Sequence, residues 1–251
     1  MSKIISIHSF RGGTGKSNTT ANIAGLLAAE GRRVGVIDTD IQSPGIHVLF
    51  GLAGSEIKHS LNDYLWGKCD IEQAAYDVTA NVGEGLPGQI FLIPSSIDAD
   101  EIVDVLRDGY DVNLLTKGFH KLNKALNLDV LLIDTHPGLN EETLYSIAIS
   151  HGLVIIMRPD HQDYEGTGVA VKVARSLDVP RMMLVVNKVP GSLEPDAVKA
   201  QIEQAYGCEV AAVLPLSDDM VSLASAGIFA LRYPDHPLTQ MLKEVAARLA
   251  A

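Results

Sequence analysis

Cysteine, tryptophan and long apolar runs are what this 251-residue sequence has least of. The two cysteines, Cys69 and Cys208, stand far apart and form no CxxC pair, so the sequence supports neither a zinc site nor a thiol redox motif. A reducing compartment fits. No apolar run approaches the ~18 residues that a membrane-spanning helix requires, the longest being Leu153 to Met157. Met1-Ser2-Lys3 leads directly into a strand pattern without the apolar stretch of a secretory signal, so a cytoplasmic protein is expected. Basic residues are scarce as well: 20 face 31 acids, and a net charge of -11 repels DNA and anionic lipid unless the few cations gather on one surface. Charge alone therefore argues against a nucleic-acid module. Aromatic residues make up only 5%, and the single tryptophan, Trp66, reads as a packing residue. What the chain has in quantity is apolar content, 47%, enough to bury a full core, and a single domain over residues 1–251 is the economical reading.

Apolar strand patterns recur at 4–9, 33–37, 90–94, 130–133, 152–158, 182–186 and 210–214, most followed by amphipathic helical patterns. Several are nearly continuous Val/Ile/Leu runs, as in parallel strands covered on both faces. The fold class is α/β: a doubly wound, mostly parallel sheet with helices on both faces. Short helices are expected over 61–66 and 71–76, and turn-rich surface between them and the third strand pattern. In such sheets ligands bind beyond the carboxyl ends of the strands, so the residues leaving each strand pattern carry the functional reading.

The first strand pattern runs into Ser9-Phe10-Arg11-Gly12-Gly13-Thr14-Gly15-Lys16-Ser17-Asn18 and then a helical pattern. Three glycines in four positions let backbone amides crowd an anion, the helix start adds its positive dipole end, Lys16 brings a point charge and Ser17 a hydroxyl for magnesium. This is a P-loop. The second strand pattern ends in Asp38-Thr39-Asp40 and a Pro/Gly-rich loop that would keep both carboxylates near the phosphates. The fourth, Val130-Leu131-Leu132-Ile133-Asp134, delivers a carboxylate in the manner of a Walker B strand, followed by Thr135-His136-Pro137-Gly138. Asn187 after the sixth offers the donor and acceptor that an adenine edge needs, with Pro215 and Ser217 after the last.

The order Arg11-Gly12-Gly13-Thr14-Gly15-Lys16-Ser17 resembles the deviant Walker A loop of the ParA/MinD ATPase family, with Arg11 at the position of that family's signature lysine. The resemblance extends in order through Asp38/Asp40 (switch I), Asp134 to Gly138 (switch II, with His136 outside the motif), Asn187 and Pro215. It implies P-loop NTPase architecture, ATP and Mg2+ as cofactors, and hydrolysis of ATP to ADP and phosphate. The nucleotide would lie against Arg11, Gly12, Gly13, Thr14, Gly15, Lys16, Ser17, Asn18, Asn187 and Pro215, and the metal against Ser17 and Asp134. Lys16, Asp40 and Arg11 would be catalytic, with Asp40 at the attacking water, Asp38 supporting magnesium through its waters, Gly138 offering an amide near the γ-phosphate, and Arg11 reaching across an ATP-dependent homodimer. Slow turnover stimulated by a partner protein would then position or partition a chromosome, plasmid, division machine or other large assembly. Non-specific DNA is one candidate surface; direct membrane insertion is not expected, because the last helical pattern (Leu238, Met241, Leu242, Val245, Leu249) reads as core packing. Two alternatives share the loop: a metallocentre-maturation ATPase, which needs clustered cysteines, and a ligase of the dethiobiotin-synthetase type, whose turnover depends on a metabolite. Three further features carry bland readings: Lys117, His120, Lys121 and Lys124 as a wet basic stripe, residues 158–163 as an exposed turn, and His136 as a loop substitution, with coupling to pH or to a partner as its sharper alternative.

Overall fold

In the computed structural model, which describes residues 2–250, the alternation of apolar runs and helices resolves into one sheet. Its strands are β1 (Lys3–His8), β2 (Arg33–Asp38), β3 (Tyr76–Asp77), β4 (Gln89–Ile93), β5 (Val130–Asp134), β6 (Gly152–Met157), β7 (Met182–Val189) and β8 (Glu209–Pro215). Their spatial order is β3-β4-β2-β5-β1-β6-β7-β8, and every neighbouring pair is parallel except β3 with β4. Alternate strand residues serve opposite faces, so a run such as Val130–Asp134 is apolar until its last residue because both sides of it are covered. Ile5, Ile7, Val36 and Leu132 pack beneath the helices Lys16–Ala29 and Pro237–Ala250. Ile37, Leu131 and Ile133 meet Leu115, Phe119 and Leu122 of the helix Asn113–Ala125, while Leu153, Ile155 and Leu184 meet Ala170 and Val171 of the helix His161–Ser176.

The seven strand patterns are all strands, and the eighth strand, β3, is the one that residue patterning does not show. Two residues are too few to display alternation, and the expected helix over 71–76 is a 3-10 turn, Ile71–Ala74, running into that edge strand. The terminal helix buries Leu238, Leu242, Val245 and Leu249 in the core, as expected. Among the described residues, no helix is long and apolar enough to cross a membrane. The basic stripe is partly neutralised: Lys121 Nζ lies 2.8 Å from Asp70 and 2.9 Å from Glu72, so it does not present four free cations. The expected turn at 158–163 is also corrected. His161 opens a helix capped by Asp160, and Asp163 is 1% exposed because its carboxylate turns inward onto arginines.

Candidate functional site

The strands β2, β5 and β1 lie side by side, and their register sets Ile7 and Asp38 both opposite Asp134. Three chain exits thus open side by side at the carboxyl ends of central strands, next to the point where strand order reverses between β1 and β6. The loop leaving β1 ends at Gly15, whose φ of 96° only glycine adopts at ease, and a Cβ there would overlap the side-chain amide nitrogen of Asn187. That turn starts the helix at Lys16, so the first-turn amides and the lysine share one end. Phe10, where a strict P-loop has glycine, is seated against Gly166 so closely that any side chain at 166 would meet its ring. A cavity of about 250 Å³ is bounded by the loop from Gly12 to Asn18 with Asp40, Pro137 and Lys188.

Asp134 is the hub of the polar groups. It accepts hydrogen bonds from Ser17 Oγ at 2.7 Å and Thr20 Oγ1 at 2.9 Å, and it lies 3.1 Å from Lys16 Nζ. Thr20 went unnoticed in the sequence; its spacing of one helical turn from Ser17 was the available signal. Asp38 is 1% exposed, accepts Asp40 N–H at 2.9 Å, and is pushed up to about 7 by burial and by the adjacent Asp134. Burial raises the Asp40 carboxyl too, while Lys16 and His136 pull it back. Its Oδ1 accepts Ser43 N–H at 3.2 Å and stands 3.8 Å from His136 Nε2. His8, also missed, ends β1, pairs through Nδ1 with Thr135 Oγ1 at 2.9 Å and is held down to about 3 by burial, with Lys16 and His136 contributing.

A second cavity, of about 240 Å³, shares Gly15, Asn18 and Lys188 with the first and runs on to Asn187, Pro215 and Ser217. Asn187 donates to Thr14 O at 2.8 Å and Lys188 Nζ to Gly13 O at 2.8 Å, so two residues near the carboxyl end of β7 grip the glycine loop. Two expected roles look different in this arrangement. The Gly138 amide is already donated to Ser9 O at 3.1 Å and is not free for a phosphate. Arg11 does not stand clear of the surface: it lies 3.3 Å from both Asp160 and Asp163, carboxylates it shares with Arg158.

The cradle fits a polyphosphate. Lys16 Nζ and Thr14 Oγ1 are buried without a hydrogen-bond acceptor or donor in good geometry, and an anion between them would satisfy both. For a hard divalent cation, the Ser17 hydroxyl and Asp134 carboxylate are a suitable oxygen pair, the balance of the shell coming from water and phosphate. Among the described residues no group of three or more His, Cys, Asp or Glu forms a ready-made metal cage.

Comparison with known proteins agrees with this geometry. An uncharacterized ATP-binding protein of Methanocaldococcus jannaschii is 30% identical over 250 residues, covering 99% of this chain and 88% of that protein. An iron-sulfur cluster carrier protein of Aquifex aeolicus is 24% identical over 259 residues, covering 98% of this chain and 67% of its own length. The septum site-determining protein MinD of Pyrococcus horikoshii, solved in complex with Mg-ADP, superimposes with a TM-score of 0.82 at 22% identity over 99% of this chain and 96% of its own. The family model described as an AAA domain matches residues 2–178, and the chain belongs to that family.

Proposed function

We propose that this protein binds Mg-ATP in the cradle between β1 and β5, closes into a homodimer upon it, and uses slow hydrolysis to position or partition a large cellular assembly. The observation that carries the reading is the buried Lys16 ammonium beside Asp134, lacking a well-aligned acceptor and opening onto a cavity whose wall includes Asp40. Lys16 has Asp134 as its ion-pair partner but no hydrogen-bond acceptor in line, which leaves ammonium donors that an anion in the cavity would satisfy. Ser17 and Asp134 would hold magnesium, which would supply charge neutralisation to the transferring phosphoryl group. The chain's own part is to hold the phosphates with Lys16 and the loop amides, to keep Ser17 and Asp134 aligned for the metal, and to orient the attacking water with Asp40. The trough toward Asn187 and Pro215 has the right continuity for a base.

Arg11 would complete the site of the opposite subunit, and to do so it must leave Asp160 and Asp163. The exchange is chemically even, since the guanidinium trades carboxylate oxygens for phosphate oxygens. In sedimentation velocity with Mg2+ and ATPγS, the unaltered protein is expected to double in mass, and Arg11→Ala to stay monomeric at the same concentration. Unaltered dimerisation of Arg11→Ala would leave Arg11 a purely intramolecular ion-pair residue.

The cargo surface is tested separately. DNA co-sedimentation with and without ATP at 50 mM and 200 mM salt is expected to show nucleotide-dependent binding that falls by orders of magnitude between the two salts if DNA carries the dimer. Absence of binding at both salts would direct the reading to a protein scaffold. An iron-sulfur carrier role is the second reading, favoured by the Aquifex relative. It is weakened by position: Cys69 lies just before the turn packed at the β4 side of the sheet, whereas buried Cys208 precedes β8 at the other edge.

A further inference from the structure

We infer that His136 is a positioning residue for hydrolysis, one that steadies the Asp40 carboxylate from the side away from the phosphates. The inference rests on the assignment of Asp40 to the attacking water. Asp40 helps wall the phosphate cavity, but His136 does not; His136 instead lines a neighbouring cavity of about 210 Å³ with Thr39, Ile41 and Tyr110. The imidazole therefore reaches the carboxylate from behind, with Nε2 at 3.8 Å from Oδ1. That oxygen already accepts the Ser43 amide at 3.2 Å, so two donors from different loops converge on it.

The histidine itself is held. Its carbonyl accepts Thr143 Oγ1 at 3.2 Å, its successor is Pro137, and its Nδ1 is buried without a partner. Nδ1 has no partner, so Nε2 is the ring nitrogen placed to donate its N–H to Asp40. The gap closes to an ordinary hydrogen bond with a movement of under about 1 Å, the kind of tightening that bound substrate brings to catalytic contacts. His136 neither gives nor takes a proton in this role; it fixes one rotamer of the carboxylate, and the water is held by Asp40. His136 lies outside the motif that the loop otherwise matches, so the device belongs to this chain's version of the loop.

The test compares His136→Ala and His136→Gln with the unaltered full chain in Mg2+, measuring kcat and the Kd values for ATPγS and for ADP–aluminium fluoride. A hydrogen bond to a charged group, made fully only as the reaction proceeds, predicts a kcat for His136→Ala lower by about ten- to a hundredfold. The ADP–aluminium fluoride Kd should rise by a similar factor while the ATPγS Kd stays within about twofold, since uniform binding is untouched. His136→Gln, which keeps a donor on a side chain of similar reach, should recover most of the loss. Equal weakening of both analogues, or unchanged kcat in His136→Ala, would overturn the role. Failure of the unaltered protein to bind ATPγS would remove the nucleotide reading itself, and this inference with it.

Discussion

Replacing Lys16 by alanine is expected to raise the Kd for Mg-ATP by at least about a hundredfold, read by isothermal titration calorimetry or by displacement of a fluorescent nucleotide. Removing one partner of a desolvated charge pair costs about 2–5 kcal/mol, and each 1.4 kcal/mol is a factor of ten. Lys16 meets that description, being 6% exposed and facing a cavity that the loop amides also line. The same substitution should destabilise the nucleotide-free protein. Lys16 is the cation against which buried Asp134 and Asp38 stand on neighbouring strands, and its loss leaves two carboxylates with hydroxyl and amide donors only. A melting curve taken alongside the titration separates the two effects. Nucleotide affinity within a few-fold of the unaltered protein, in a variant that melts cooperatively, would show that the triphosphate does not sit on Lys16.

The second large effect lies with Asp40. Asp40→Ala should reduce kcat by about a hundredfold or more, the ordinary range for loss of a positioned base, with ATP affinity changed by no more than about threefold. Asp40 is suited to that split because it borders the phosphate cavity without pairing to Lys16 or to the Ser17–Asp134 couple. Burial raises its carboxyl above the ordinary range, which favours taking a proton. The variant should therefore accumulate as a nucleotide-loaded dimer, visible as a persistent heavy species in sedimentation with ATP itself. Normal turnover in Asp40→Ala would move the water to another residue, Asp38 being the neighbour to examine.

How far the sequence carries these arguments differs from residue to residue. Lys16, Ser17 and Asp134 were legible because each sits at a fixed offset from a strand or helix start, and such offsets survive in one dimension. Thr20 could have been read from its helical spacing to Ser17. His8 could not: nothing in a strand run marks one polar member as facing a buried threonine just beyond the end of another strand. Asp160 and Asp163 looked like ornaments of a turn; Arg158 is their neighbour in the chain, but only packing brings Arg11 onto them from the glycine loop. Gly138 shows the reverse error. Its place in the switch motif was legible, but the commitment of its amide to Ser9 O was not.

By itself the sequence determined the strand-turn-helix cradle, the α/β class and the chain positions of the carboxylates, because periodicity and glycine placement are local properties of the backbone. Tertiary structure alone decided strand order, and hence that Asp38, Asp134 and the glycine loop emerge side by side. It alone decided which cations are occupied and that His136 stands behind Asp40. Those facts depend on which distant segments are driven together when both faces of the sheet are buried, a long-range choice that leaves no period in the chain.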